Sequence, residues 1–189
     1  MAEGARSSVA VRLRSQTGVP LGELFAHLSG LYFRGKVTYA RRFASVPYGT
    51  GVQIITPGYG LLPDKTAMRL ETLEAFGKVE IRTDNPDYCH PLEASARRLS
   101  GTFEVTTRFV LLGSVASDKY VEILGRVFGS RLVFPSDFVG RGDMSRGGLL
   151  LRAAAAGREL DYVPVLGAVR HGSRPPRLTP IAPALSPKP

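Results

Sequence analysis

The clearest hydrophobic pattern in the chain lies between Asp118 and Gly129. Tyr120, Ile123, Leu124, Val127 and Phe128 recur at i, i+3, i+4, i+7 and i+8, the spacing of one buried face of an α-helix. Ser117 or Asp118 is placed to cap its start, and Gly129 ends it. Weaker helical spacing follows Pro20, where Leu21, Leu24, Phe25 and Leu28 precede a stop at Gly30. A second helix is expected over Lys36 to Ala44, others over Thr66 to Phe76 and Pro91 to Leu99, and one from about Ser145 to Ala156. The last of these is apolar nearly all round and is expected to be buried, with Gly157 as its stop.

Between the helices lie short β-branched or apolar runs that read as strands. They are Val9 to Leu13, Gly51 to Thr56, Lys78 to Arg82, Phe103 to Leu112, Arg131 to Phe134 and Leu160 to Leu166. Asp84 to Asp87 reads as loop. Strands alternating with helices predict a three-layer α/β domain. Its mostly parallel central sheet would have about 4–5 strands, with helices on both faces. The expected organisation is a flexible start (residues 1–7), one domain (8–171) and a proline-rich basic tail (172–189). In a parallel sheet, ligands gather at the carboxyl ends of the strands. The loops after Ile55, Leu112 and Phe134 are therefore the places to look for a site.

Composition narrows the class of partner. The chain of 189 residues carries a formal net charge of +9, which favours a polyanion: nucleic acid, nucleotide or anionic lipid. Its one cysteine, Cys89, excludes an internal disulfide, and no Cys-x-x-Cys pair offers a metal site. No apolar run is long enough to span a bilayer and the first residues lack the core of a signal peptide, so a cytoplasmic protein without a membrane partner is expected. No cofactor or metal is expected.

The most informative stretch is Phe134 to Gly148, continued to Arg152. It holds Gly140, Gly142, Gly147 and Gly148 together with Arg141, Arg146 and Arg152 at the start of a helix. Glycines let backbone N–H groups approach an anion, a helix start presents unpaired donors, and guanidinium groups grip phosphate bidentately. The pattern is neither a P-loop nor a dinucleotide fingerprint. Arg141, Gly142, Ser145, Arg146, Gly147 and Gly148 are the expected phosphate ligands. The competing reading is a tight turn in which Asp137 and Asp143 pair with Arg141 and Arg146.

Two further loops add candidates. Leu112 to Lys119 is rich in small residues, with Ser114, Ser117, Asp118 and Lys119 able to touch a phosphate or ribose. Thr56 to Asp64 sets Tyr59 between two glycines, where its ring can stack on a base or pack in a rigid turn. Lys36, Arg41 and Arg42 interleave with Tyr32, Phe33 and Tyr39, a pattern that suits single-stranded nucleic acid and equally a solvated helix face. Arg170, Arg174, Arg177 and His171 lie near or in the tail, which has six prolines after Gly172 and no acidic residue. His90 beside Cys89 does not make a catalytic pair, because adjacent side chains point apart.

The run Ile54-Ile-Thr-Pro-Gly-Tyr-Gly-Leu-Leu-Pro-Asp64, with Leu31-Tyr32 and the basic helix before it, resembles YaaA-like proteins over residues 31 to 64. The order of elements also resembles the uracil-DNA-glycosylase-like fold of glycosylases and base-modifying tRNA enzymes. That resemblance implies a nucleic-acid partner. The usual water-activating motif of glycosylases is not found in this chain, and neither 112–118 nor 171–173 matches it.

Three functions follow as expectations. The first is a nucleic-acid- or nucleotide-binding domain that holds phosphate on the Gly/Arg turn. The second is an enzyme acting on an N-glycosidic or phosphate bond, with Asp118, Asp137 or Asp143 as acid or base. The third is a non-catalytic basic subunit whose proline-rich tail docks on a larger protein assembly.

Overall fold

Helix α2 (Leu21–Phe43) is broken at Gly30, whose φ of +69° lies in the left-handed region that favours glycine. The break separates a first segment led by Pro20, which stops at Gly30 as expected, from a second that starts directly after it, earlier than the Lys36 expected, and runs on to Phe43. The structure, a computed structural model, describes residues 2–178. It is a mixed α/β fold. The second half of α2 is its central element and packs along helix α6 (Asp143–Ala156).

The two helices approach so closely because both carry glycine at the crossing. A Cβ on Gly35 would stand 2.7 Å from the Gly147 carbonyl oxygen, and a Cβ on Gly147 would stand 2.8 Å from the Tyr32 Cα. Around this crossing the main core assembles from α2, α6, helix α4 (Pro86–Thr102) and helix α5 (Asp118–Phe128). Tyr39, Tyr88, Leu92, Ile123, Phe134, Phe138 and Leu150 are all buried there. A smaller core joins helix α1 (Ala2–Leu13), strand β1 (Val19–Pro20), the start of α2, strand β4 (Ala67–Met68) and helix α3 (Leu70–Phe76).

The strands form three small sheets rather than one. β1 pairs with β4, and β2 (Gln53–Thr56) forms an antiparallel hairpin with β3 (Gly60–Pro63). β5 (Phe109–Val110), β6 (Leu132–Pro135) and β7 (Tyr162–Pro164) make the third sheet. Within it β5 and β6 are parallel and β7 is antiparallel to β6. The expected mostly parallel sheet of about 4–5 strands is therefore corrected to these two- and three-stranded pieces among the described residues. The reason is local: Pro57-Gly58 turns β2 straight back onto β3, and that hairpin packs on α4.

Several elements differ from the expected ones. Val9 to Leu13 is helical, not a strand, because Val9 and Leu13 lie four apart and face the smaller core together. Lys78 to Arg82 is not a strand: Arg82 pairs with Asp84 and Glu80, and Cys89 donates to the Arg82 and Thr83 carbonyls, which fixes a loop. Asp84 to Asp87 is not all loop. The Asn85 side chain accepts from the Asp87 N–H and Pro86 opens α4, which extends on to Thr102. The strand expected over Phe103 to Leu112 shrinks to Phe109–Val110, and a turn closed by the Thr107 N–H on the Glu104 carbonyl takes its first part. Thr66 to Phe76 gives its first residues to β4 and starts its helix at Leu70. Helix α6 is buried on one face only: Leu150 and Ala153 are covered, whereas Ala155 and Ala156 are exposed. Gly157, with φ of +63°, closes it. Of the tail, residues 172–178 are described, and 179–189 lie outside the described residues.

The glycine crossing makes a signed prediction. Gly35→Ala gains helix propensity of about 1 kcal/mol but drives a methyl group into backbone that cannot rotate away, so a net loss of about 1–3 kcal/mol is expected in urea unfolding. Gly125→Ala in α5 meets nothing within 4 Å and should stabilise by about 0.5–1 kcal/mol.

Candidate functional site

The loops after Leu112 and Phe134 leave the same edge of one sheet, because β5 and β6 are parallel neighbours. The loop after Ile55 leaves a different sheet and does not join them. Tyr59 is half-exposed, with its ring edge-on to Phe76 at 5.4 Å between centroids. It stands on that separate hairpin and not beside the other candidates.

Behind the Gly/Arg turn, Arg146 is 6% exposed and points inward. Its Nε and Nη2 both donate to the Phe138 carbonyl, at 3.2 and 3.0 Å, and its guanidinium stands 5.3 Å from the Phe138 ring centroid. Asp143 approaches it at 3.7 Å. This guanidinium is the internal strut of the 3₁₀ turn Ser136–Phe138, not a free phosphate ligand. Gly147 is likewise committed to the α2 crossing. The internally paired reading therefore holds for Arg146 with Asp143, whereas Arg141 donates its Nε to the Asp137 backbone carbonyl at 3.0 Å and not to the carboxylate.

The other residues of the turn face outward. Ser145, Gly148 and Arg152 share one face of α6, and Arg141 joins them from the turn before it. Residues 174–178 lie across this face. Gly140, with φ of +73°, makes that possible: a Cβ there would collide with the Ser173 carbonyl. Leu178 packs beside Gly148, and Arg141 donates to the Ser145 hydroxyl at 3.3 Å and to the Pro176 carbonyl at 3.5 Å.

The result is a groove of about 290 Å³. Arg141, Arg152, Arg174 and Arg177 line it together with Gly142, Ser145 and Gly148, and no aspartate or glutamate does. Gly142 occupies the N-cap of α6 without a side-chain cap. Unpaired backbone donors and four guanidinium groups therefore serve one concavity. Arg174 and Arg177 are exposed, whereas Arg141 and Arg152 are half-buried.

The loop from Leu112 to Lys119 is pinned from three sides. The Tyr32 hydroxyl donates to the Leu112 carbonyl at 3.0 Å, Arg170 to the Val115 carbonyl at 3.2 Å, and the Tyr88 hydroxyl to the Lys119 carbonyl at 3.0 Å. Ser117 stands at the N-cap of α5 but makes no side-chain cap bond. Asp118 is exposed and ion-paired to Arg170 at 3.2 Å. Ser114 is half-buried, and Lys119 lies 5.2 Å from the Tyr120 ring centroid. Asp118, Asp137 and Asp143 line neither the arginine groove nor the large apolar cavity beside α2.

Burial raises the Tyr32 hydroxyl to about 12, partly offset by Arg146. It also pushes the Cys89 thiol up, the wrong direction for a nucleophile. Arg41 donates to the buried Asp64 carboxylate at 2.7 Å, so it ties the β2–β3 hairpin to α2 instead of facing a ligand. Among the described residues no helix is long and apolar enough to cross a membrane.

Sequence reasoning missed the partnership between turn and tail. The signal for it was present: arginines recur at 174 and 177 just before an isolated Leu178.

Arg146→Met should cost about 2–3 kcal/mol in chemical unfolding, because the Phe138 carbonyl loses a charged, bidentate donor inside the protein. Arg152→Met, which removes no hydrogen bond among the described residues, should stay within about 0.5 kcal/mol of the parent.

Compared with known proteins, the chain matches no family model, and no curated protein sequence and no solved structure is detectably similar to it.

Proposed function

We propose that the protein binds nucleic acid or a nucleotide by holding phosphate groups in the groove between the first half of α6 and residues 174–178. The observation that carries this reading is the lining of the groove: four arginines, an uncapped helix start and no acidic side chain.

The magnitudes favour the arginines as the main source of affinity. A helix terminus near the surface contributes about 0.3–1 kcal/mol to a bound anion. A charge-assisted hydrogen bond from guanidinium to phosphate is about twice as strong as a neutral one, and four such groups converge here. The net charge of +9 adds long-range attraction for any polyanion. Because the three candidate aspartates stand outside the groove, the reading is one of binding, not of bond cleavage.

The expected ligand set is Arg141, Arg152, Arg174 and Arg177, with the backbone of Gly142 and the Ser145 hydroxyl. Arg146 and Gly147 drop out of it, since their roles are internal.

The test is the salt dependence of binding to a single-stranded oligonucleotide. Four neutralised phosphates give a slope of about −2.8 in log K against log salt, or about a 50-fold loss between about 50 and 200 mM. Arg141→Met with Arg152→Met should weaken binding at least about tenfold and flatten the slope by about 1.4. Binding that ignores salt, or a double variant with the parent slope, contradicts the proposal.

A further inference from the structure

A second, separate concavity lies on the other side of α2. Residues of α2, β2, β5 and α5 line a cavity of about 560 Å³. Its wall is mostly apolar and rich in rings, among them Phe33, Phe43, Phe109 and Phe128, with Leu111 and Leu124. A space of this size and character suits a small organic ligand. None of its lining residues belongs to the arginine groove.

Lys36 is set into this wall. Its ammonium rests 3.9 Å from the centroid of the Tyr32 ring, and it forms no ion pair among the described residues. The other charged residues of the wall, Arg108 and Glu159, both lie against Tyr162. The charges that act on Lys36 come from outside the cavity: Asp143 and Arg146 of α6, and Lys119 of α5. Of those three Asp143 acts most strongly, but among the described residues no carboxylate stands within ion-pair distance of the amine.

We propose that this cavity binds an apolar small molecule bearing one anionic group, a carboxylate or sulfonate, whose charge pairs with the Lys36 ammonium. The choice of an anion follows from desolvation. A neutral apolar ligand filling the cavity would strip more water from the ammonium without replacing it, whereas an anion supplies the missing counter-charge. The ring-rich wall suits an aromatic body. Burial already holds Lys36 down to about 8, helped by Arg146 and Lys119 and opposed by Asp143. A bound anion favours the charged amine, so binding above about pH 8 takes up a proton.

Two fluorescent probes with nearly the same body separate the terms. Anilinonaphthalene sulfonate carries the anion, and phenylnaphthylamine lacks it. On the full chain, Lys36→Met should weaken the sulfonate about tenfold and the neutral probe less than about twofold, while Lys36→Arg keeps both. Equal losses for both probes, no loss for the sulfonate, or no binding of either probe to the parent would overturn the proposal. A measurement on the parent chain does not depend on how the variant folds. Calorimetry at about pH 8.5, in two buffers of different ionisation enthalpy, should show proton uptake with the sulfonate and none with the neutral probe. Absence of uptake with the sulfonate overturns the proposal as well.

Discussion

The close crossing of α2 and α6 at Gly35 and Gly147 is the constraint around which the main core is built. Backbone meets backbone there, with Gly147 against the Cα of Tyr32. Only residues without a side chain permit it. Because the helices sit so near, the Tyr32 hydroxyl reaches the Leu112 carbonyl and ties the loop after β5 to α2. The same proximity sets Lys36 within the field of Asp143 and Arg146 at the start of α6. A larger residue at either glycine would push α2 and α6 apart.

Helix α6 divides its arginines between two tasks. Arg146 lies on the inner face with Gly147, Leu150 and Ala153, and its charge is spent on one carbonyl and one aromatic ring. Ser145, Gly148 and Arg152 lie on the outer face and look onto the tail. A buried guanidinium is costly unless its donors are used, and the bidentate contact to Phe138 uses them. Arg152 is only half-buried and makes no hydrogen bond among the described residues, which leaves its guanidinium available to an incoming phosphate. Identical side chains six residues apart thus have opposite roles, decided by which face of the helix each occupies.

Much of the local structure was legible from spacing. The amphipathic pattern of α5, the break at Gly30 and the glycine stops at 129 and 157 rest on short-range rules. What was not legible depended on partners far away in the chain. Val9 to Leu13 alternates like a strand, but a strand needs an edge to pair with, and the core it meets accepts a helical face. The single parallel sheet failed because β2 finds β3 next door and so never enters the sheet of β5, β6 and β7. At the candidate site, spacing located the turn but could not tell Arg146 from Arg152. Their difference lies in the position of Phe138 and of α2. Spacing also could not show that the tail returns to the turn, where Gly140 lacks the side chain that would keep Ser173 away.

The central claim is that phosphate is held on the outer face of α6. Backbone amide NMR during titration with a short single-stranded oligonucleotide maps the contact directly. The account predicts shifts concentrated at Arg141, Gly142, Ser145, Gly148, Arg152 and the amides of residues 174 to 178, with Arg146 and Lys36 little changed. Shifts centred instead on Lys36, Arg41 and Arg42, or scattered without a centre, would contradict it.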